Sequence, residues 1–329
     1  MGVWKGLLGA VLGVALTAGA WAGAFPNRPL TMLVGYAAGG STDIQARVLA
    51  EVLTDFLGQP VTVRNMPGAG GGVAAAMVAG SSEQGHVFQF GISSTIALTP
   101  LLVPASFNLD SFTYVAGLSL SQAAFVTGSK TGIRDWKSMV QALKRQPGRV
   151  YATQTAEDRL LIRAIAKKEG LDLRIVATSG GAGSTPMVLS GDAWLAYSGG
   201  SHADYTDSGQ MHVLASLDKT RLMGYPDVPT LQELGYDLAL HTIRIVTVPA
   251  NTPAEQVAVL AAALERAAAD PRFVDVTVNR IRQPVLFVKG ADVRPMLKQQ
   301  AQQFRALLAD LGGPEGASPA TAPASKAAR

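Results

Sequence analysis

LTMLVGYAAGGSTD, residues 30–43, is the stretch that decides the fold of this chain. Its apolar run LTMLVGY is typical of a buried parallel strand. The run breaks at Ala38-Gly39-Gly40, and Ser41-Thr42-Asp43 supplies good N-cap residues for a helix whose apolar face continues to Leu57. Such a turn leaves unpaired N–H groups at the positive end of a helix dipole. The stretch therefore predicts either an anion site, for a carboxylate or phosphate, or an ordinary strand-to-helix turn.

Strand-like and helix-like segments alternate along the rest of the chain, which is typical of an α/β protein with mostly parallel sheets. The predicted strands are 61–65, 86–92, 123–127, 149–153, 173–177, 193–197 and 212–216. The predicted helices are a small-residue helix that follows the glycine cluster 68–72 and ends at Ala79, and the segments 135–145, 157–169, 253–269 and 291–311.

The composition limits the classes of protein to which the chain can belong. Its 329 residues are enough for about two domains. The net charge is +4, only 16% of the residues are charged, and no basic stripe is present, so we expect no nucleic-acid partner. The absence of cysteine excludes thiol catalysis, cysteine metal sites and a lipid-modified cysteine.

Both ends of the chain look different from its middle. Residues 1–24 resemble a signal peptide, with Lys5, an apolar segment over 7–20 and small-x-small cleavage sites at 20–22 and 22–24. We expect cleavage near residues 22–24 and an exported product; an uncleaved membrane anchor is the alternative. Residues 312–329 are rich in Gly, Pro, Ala and Ser and are predicted to form a disordered tail.

Motifs for nucleotides, metals and catalysis fail on inspection. The cluster Gly68–Gly72 has Val73 where a dinucleotide-binding turn would need its third glycine. The sequence has no G-x-S-x-G elbow, and its four histidines show no metal-binding spacing. We therefore expect no cofactor, no metal and no catalytic residues, and predict that the protein is not an enzyme.

Four motifs, in this order, carry a resemblance to a known family. They are RPL-x6-AAGGSTD-x2-AR (28–47), LGQPVTVRNMPGAGGG (57–72), PDVPTLQELG (226–235) and P-A-x-T-P (249–253). They resemble the periplasmic solute-binding receptors of tripartite tricarboxylate transporters, the Bug family, over about residues 25–311. The resemblance implies a type II periplasmic binding protein fold, with two α/β lobes, hinge strands and a ligand cleft between them. We expect lobe 1 to comprise 25–124 plus 243–311, and lobe 2 to comprise 125–242.

The same resemblance implies which loops hold the ligand. In the family, loops of lobe 1 grip one ligand carboxylate through backbone N–H groups, hydroxyls and bridging waters. The matching positions of lobe 1 are Tyr36, Ala38, Gly39, Ser41, Thr42, Asp43, Gly68, Ala69, Gly70, Ser93, Ser94 and Thr95, and those of lobe 2 are Thr153, Gln154, Thr155, Ser179 and Gly180. For Asp43 we favour a role as cap and dipole partner over direct ligand contact.

Lobe 2 departs from the family pattern. The first loop loses its glycines, the second has Ser179 in place of a lysine, and Ile243 followed by Arg244 replaces a common tryptophan. Glu157 and Asp158 either bring negative charge to the place of a second ligand carboxylate or cap a helix and face solvent. On either interpretation citrate suits the site poorly. We expect a ligand with one carboxylate and a neutral or ammonium-bearing far end.

The sequence thus favours a monomeric periplasmic receptor. Its ligand would be a small organic acid (a mono- or dicarboxylate) or an amino acid, delivered to the membrane permease of a tripartite tricarboxylate transporter. Two alternatives stay open. A receptor of the same fold could serve a signalling partner or no transporter at all, and an exported enzyme could use the same cleft.

Overall fold

The structure, a computed structural model, describes residues 25–313, which form two β-sheets with helices packed on both faces. The six-stranded sheet has the order β11-β4-β10-β3-β1-β2, and the five-stranded sheet has the order β7-β6-β8-β5-β9. The strands are β1 (Leu30–Val34), β2 (Val61–Asn65), β3 (Val87–Ile92), β4 (Phe112–Leu120), β5 (Ala124–Gly128), β6 (Arg149–Thr153), β7 (Leu173–Ala177), β8 (Ala193–Ser198), β9 (Met211–Ser216), β10 (Ile243–Pro249) and β11 (Val285–Lys289).

Ten α-helices fill the connections in the described part of the chain. They are α1 (Ser41–Leu57), α2 (Gly72–Ala79), α3 (Ser93–Leu102), α4 (Trp136–Arg145), α5 (Ala156–Glu169), α6 (Gly181–Ser190), α7 (Ala203–Asp207), α8 (Ala254–Ala268), α9 (Pro271–Asp275) and α10 (Gly290–Asp310). Within residues 25–313, every helix is too short or too polar to span a bilayer.

Both sheets share one plan. Three neighbouring strands are parallel, β2-β1-β3 in one sheet and β7-β6-β8 in the other. In the six-stranded sheet the next strand is β10, which is antiparallel to both of its neighbours, β3 and β4. In the five-stranded sheet the next strand is β5, which is antiparallel to both β8 and β9. The expectation of mostly parallel sheets is therefore wrong in this respect. The antiparallel strands follow the points where the chain passes between the sheets, so each enters its sheet from the opposite end.

The chain passes between the sheets twice. It leaves the six-stranded sheet at Leu120, enters the five-stranded sheet at Ala124, and returns at Ile243. The two crossing segments lie side by side, because the Ser121 N–H donates to the Thr242 carbonyl at 2.7 Å. The exact lobe boundaries stay a prediction.

The first strand shows why this sequence makes a central strand. Leu30, Met32 and Val34 pack on the face covered by α1 and α8, while Leu33 packs on the face covered by α2, α3 and α10. A strand buried on both faces requires a continuous apolar run, which LTMLV provides. The helix that follows, α1, ends at Gly58 in the left-handed conformation.

Sequence patterns located most of these elements, with three kinds of exception. The strands β4, β10 and β11 and the helices α3, α6, α7 and α9 were not predicted. The N-cap of α1 is Gly40, so Ser41-Thr42-Asp43 forms the first helical turn and not the cap. The predicted signal peptide and the tail from residue 314 onward lie outside the described residues.

Candidate functional site

The candidate site lies where loops of the two sheets meet. Loops that follow β1, β2 and β3 face loops that follow β6, β7 and β8. The Ala37 N–H of one side donates to the Ser179 carbonyl of the other at 3.0 Å. A Cβ placed on Gly70 would lie 3.4 Å from the Thr155 Cα. The loops are thus in contact, and the cleft between the sheets is closed in this structure.

A first cavity, here called the central cavity, has a volume of about 20 Å³. It is lined by Tyr36, Gly40, Ser41, Thr42, Ile92, Ser121, Gln154, Thr155, Gly181, Tyr197, Gly199 and Arg244. Such a volume suits roughly one water molecule, so the lobes must separate before a larger molecule can enter.

Arg244 is the largest fully buried side chain of the described residues, with 1% of its surface exposed. Its Nη2 donates to Ser41 Oγ at 3.2 Å and to the Gly199 carbonyl at 3.1 Å, and its Nη1 donates to Gln283 Oε1. Its Nε has no hydrogen-bond partner among the described residues. Burial lowers the pKa of Arg244 to about 10, so the guanidinium stays charged at neutral pH.

Two helices point their N-termini at the same cavity. The N-caps of α1 and α6 are Gly40 and Gly180, and neither supplies a side-chain acceptor to its helix. A Cβ placed on Gly40 would lie 3.7 Å from the Gly181 nitrogen and 3.8 Å from the Ala182 nitrogen, so the two helix ends face each other. Both ends carry partial positive charge, which adds to that of Arg244.

A second cavity, here called the side cavity, has a volume of about 100 Å³. It is lined by Gly35, Tyr36, Gly68, Ala69, Gly70, Thr153, Gln154, Thr155, Arg159, Ala177, Thr178 and Ser179. Arg159 contributes positive charge, and its Nε has no hydrogen-bond partner among the described residues. The turn at its rim needs glycine, because Gly68 and Gly70 have φ of 139° and 61°.

Tyr36 lies between the two cavities. Its hydroxyl donates to the Gly70 carbonyl at 3.0 Å, and its ring packs against Gly180, where a Cβ would lie 3.2 Å from Cδ1. Burial raises the pKa of Tyr36 well above its ordinary value, so the hydroxyl keeps its proton. Tyr36 therefore contacts loops of both sheets.

The residues predicted for the site fall into three groups. Those lining the central cavity are Tyr36, Ser41, Thr42, Gln154 and Thr155. Those lining the side cavity are Tyr36, Gly68, Ala69, Gly70, Thr153, Gln154, Thr155 and Ser179. Those lining neither cavity are Ala38, Gly39, Asp43, Ser93, Ser94, Thr95 and Gly180.

Asp43 serves the turn before α1. Its carboxylate accepts hydrogen bonds from the Gly39 N–H at 2.8 Å, from Arg47 and from Asn65. Burial by itself raises the pKa of Asp43, but these hydrogen bonds outweigh it and hold the pKa below its ordinary value. The carboxylate thus holds the turn in place, as a dipole partner of α1 would.

Two of the polar residues at the start of α3 make hydrogen bonds, one to the glycine turn at residues 68–71 and one to the start of β10. Thr95 Oγ1 donates to the Gly70 carbonyl at 2.7 Å, and Ser93 Oγ accepts from the Ile243 N–H at 3.3 Å. Ser94 Oγ is buried without a hydrogen-bond partner in the described chain. These side chains pack behind the cavities, and Ala38 and Gly39 lie exposed at the rim.

Glu157 and Asp158 are 1% and 0% exposed and line neither cavity, so the predictions that they face solvent or the ligand are wrong, whereas the predicted capping role is correct for Asp158. Asp158 completes a capping box, in which its Oδ1 accepts from the N–H and the hydroxyl of Thr155. Its Oδ2 accepts from the Tyr151 hydroxyl at 2.6 Å. Glu157 Oε1 accepts from the Thr242 hydroxyl at 2.5 Å, beside a crossing segment.

Several cavity-lining residues were not predicted. They are Gly40 (inside the predicted turn but not named), Ile92, Ser121, Gly181, Tyr197, Gly199 and Arg244 in the central cavity, and Gly35, Arg159, Ala177 and Thr178 in the side cavity. Arg244 gave a signal in the sequence, as a charged residue at the start of an apolar strand-like run, RIVTVP. Tyr197 gave no such signal, because a tyrosine near the end of an apolar strand is as typical of an ordinary core position.

The chain is similar in sequence and fold to known proteins. A family described as "Tripartite tricarboxylate transporter family receptor" matches residues 45–312. A UPF0065 protein of Bordetella bronchiseptica is 31% identical over 315 residues, 92% of this chain and 91% of the relative. The solved structure of the periplasmic binding protein BugD has a TM-score of 0.82 at 23% identity and covers 88% of this chain and 99% of that chain.

A second solved structure, MatC of Rhodopseudomonas palustris with bound malate, has a TM-score of 0.77 at 21% identity. It covers 86% of this chain and 99% of that chain. These structures show that the fold is the two-lobed α/β fold of periplasmic binding proteins. Because the family matches most of the sequence, the chain belongs to the tripartite tricarboxylate transporter family receptors, the Bug family of periplasmic solute-binding receptors.

Proposed function

We propose that the protein captures a small carboxylate-bearing molecule, a mono- or dicarboxylate or an amino acid, between its two lobes. It then delivers this molecule to the membrane permease of a tripartite tricarboxylate transporter. The observation that carries the proposal is the meeting of two helix N-termini and a buried arginine, Arg244, on one cavity. Such an arrangement favours an anion over a neutral or cationic molecule.

The charges of lobe 2 bear on the second end of the ligand. The expectation of a neutral or ammonium-bearing far end depended on Glu157 and Asp158 facing the ligand and on the absence of a cation. Asp158 instead accepts a hydrogen bond from Tyr151, and Glu157 accepts one from Thr242. A cation, Arg159, lines the side cavity. A dicarboxylate is therefore as well suited as a monocarboxylate, and the malate bound by MatC is of this class.

The remaining parts of the proposal concern location, partner and movement. We infer a monomer that is exported to the periplasm after cleavage near residues 22–24 and that is not an enzyme. Ligand entry requires the lobes to part about the crossing segments, which are joined by the bond between Ser121 and Thr242. Closure would then bury the ligand between the loops.

A thermal-shift screen tests the proposed ligand class. The compounds are acetate, malate, adipate, glutamate and citrate, each beside its uncharged amide or, for glutamate, beside glutamine. A ligand at about 100 times its dissociation constant stabilises a protein by about 2.7 kcal/mol, so a specific carboxylate should raise the melting temperature by several degrees. A shift produced equally by the amides, or by none of the acids, would contradict the proposal.

A further inference from the structure

Arg244 carries a buried charge that no acidic side chain within residues 25–313 neutralises. None of the ion pairs among residues 25–313 includes Arg244. Its three hydrogen-bond acceptors, on Ser41, Gly199 and Gln283, are all uncharged. Burying an uncompensated charge is costly, and proteins normally pair such a group with an opposite charge. The missing opposite charge is therefore expected to come from outside the chain.

The surroundings of Arg244 increase this demand for negative charge. The N-termini of α1 and α6 face the same cavity and add partial positive charge to it. The tyrosines that line it, Tyr36 and Tyr197, are buried, and burial raises the pKa of each, so neither supplies an anion. Three groups thus give the central cavity a positive potential, namely the guanidinium of Arg244 and the N-termini of α1 and α6.

Opening of the cleft would break only one of the three hydrogen bonds of Arg244. Gln283, itself 0% exposed, accepts from Nη1 of Arg244 through its Oε1. Gln283 and Ser41 belong to the part of the chain that forms the six-stranded sheet, whereas Gly199 follows β8 of the five-stranded sheet. Separation of the sheets would remove the Gly199 carbonyl from Nη2 and leave the guanidinium aimed into the open cleft.

We propose that Arg244 is the counter-ion of the ligand, and that it binds a ligand carboxylate between the N-termini of α1 and α6. The inference depends on the proposed function and names the residue that decides its specificity. The Nε and Nη2 of Arg244 are the donors for the two carboxylate oxygens. Nε has no hydrogen-bond partner in the closed cleft, and Nη2 loses the Gly199 carbonyl when the cleft opens. A bidentate arginine–carboxylate pair gives both strength and direction.

This arrangement explains what the cleft would reject. A ligand whose only polar head is an amide or a hydroxyl leaves the charge of Arg244 unpaired, so it gains little from closure. Phosphate and sulfonate heads share the oxyanion chemistry of a carboxylate but are larger and tetrahedral. Between the closely opposed ends of α1 and α6, where a Cβ on Gly40 would lie 3.7 Å from the Gly181 nitrogen, a planar carboxylate head needs less space than a tetrahedral one.

The experiment compares Arg244→Gln and Arg244→Lys with the unchanged protein. Arg305→Gln, at an exposed position of α10, is the matched control for loss of one positive charge. Circular dichroism and the melting temperature without ligand establish that each variant folds. Acetate, malate, succinate, adipate, glutamate and citrate are then titrated by calorimetry, beside succinamide and methanesulfonate.

We expect at least one of these carboxylates to bind the unchanged protein and the Arg305→Gln variant equally. Arg244→Gln should bind it about tenfold to a hundredfold more weakly, since a charge-assisted pair is lost. Arg244→Lys should recover part of the affinity, because it restores the charge without the planar fork. Methanesulfonate should bind more weakly than acetate.

Two results would overturn the inference, and they differ in what they say about the proposed function. Equal carboxylate affinity of the unchanged protein and a folded Arg244→Gln variant would show that the ligand binds without Arg244, while the receptor function stands. If Arg244→Gln does not fold, Arg244→Lys decides: affinity equal to that of the unchanged protein would exclude the bidentate pair. Failure of every carboxylate to bind the unchanged protein would overturn the proposed function together with the inference.

Discussion

Replacing Glu157 by glutamine should make the protein more stable at neutral pH and remove a pH dependence of its unfolding. Glu157 is 1% exposed, and its Oε2 has no hydrogen-bond partner among the described residues. Burial raises the pKa of this carboxyl group from 4.5 to about 7. Between about pH 4.5 and 7, Glu157 therefore keeps its proton in the folded protein but has released it in the unfolded chain.

The sign and size of the effect follow from that difference. Below about pH 4.5 the group is protonated in both states and contributes no pH dependence. Between about pH 4.5 and 7 the unfolded state binds fewer protons than the folded state, so the free energy of unfolding falls as the pH rises. Each pKa unit is worth about 1.4 kcal/mol, which gives a loss of about 3 kcal/mol by pH 8.

Thermal unfolding followed by circular dichroism at pH 4, 5, 6, 7 and 8 measures this loss. The melting temperature of Glu157→Gln, relative to that of the unchanged protein, should rise by roughly 5–10 °C between pH 4 and pH 8. Glu51→Gln, at an exposed position of α1, is the matched control and should show a constant difference. A constant difference for Glu157→Gln as well would refute the reasoning, because it would mean that Glu157 titrates alike in both states.

Three further predictions concern the cap of α5, the glycine turn and the cleft. Tyr151→Phe removes the hydroxyl that donates to Asp158 at 2.6 Å in a buried site, and urea unfolding should show a loss of about 1–3 kcal/mol, whereas an unchanged midpoint would show that water replaces the hydroxyl. Thr95→Ala removes the hydroxyl that holds the Gly70 carbonyl at 2.7 Å at the side cavity; calorimetry should show ligand binding weakened by about 1 kcal/mol, the usual contribution of a neutral hydrogen bond, and full affinity would mean that Thr95 is a bystander. Small-angle scattering should give a smaller radius of gyration with saturating ligand than without, and equal values despite measured binding would argue for a cleft that does not open.

The sequence alone determined the local elements around the site. The apolar run before Gly35, the glycines of residues 68–72 and the capping box that begins at Thr155 are short-range patterns, and each produced the strand, turn or helix start expected of its region. The family motifs added the two-lobed fold, which the comparisons confirm. Local patterns succeed here because backbone hydrogen bonding, helix capping and turn geometry depend on residues within a few positions of one another.

Only the tertiary structure decided which charges face the cleft between the two sheets. Arg244 contacts Ser41 across 203 positions of sequence, and Glu157 contacts Thr242 across 85. No local pattern distinguishes these contacts from exposure to solvent, and so the burial of the two acids was not predicted and Arg244 was left out of the candidate site. The physical reason is that burial, and with it the pKa and the need for an opposite charge, is set by the packing of distant segments.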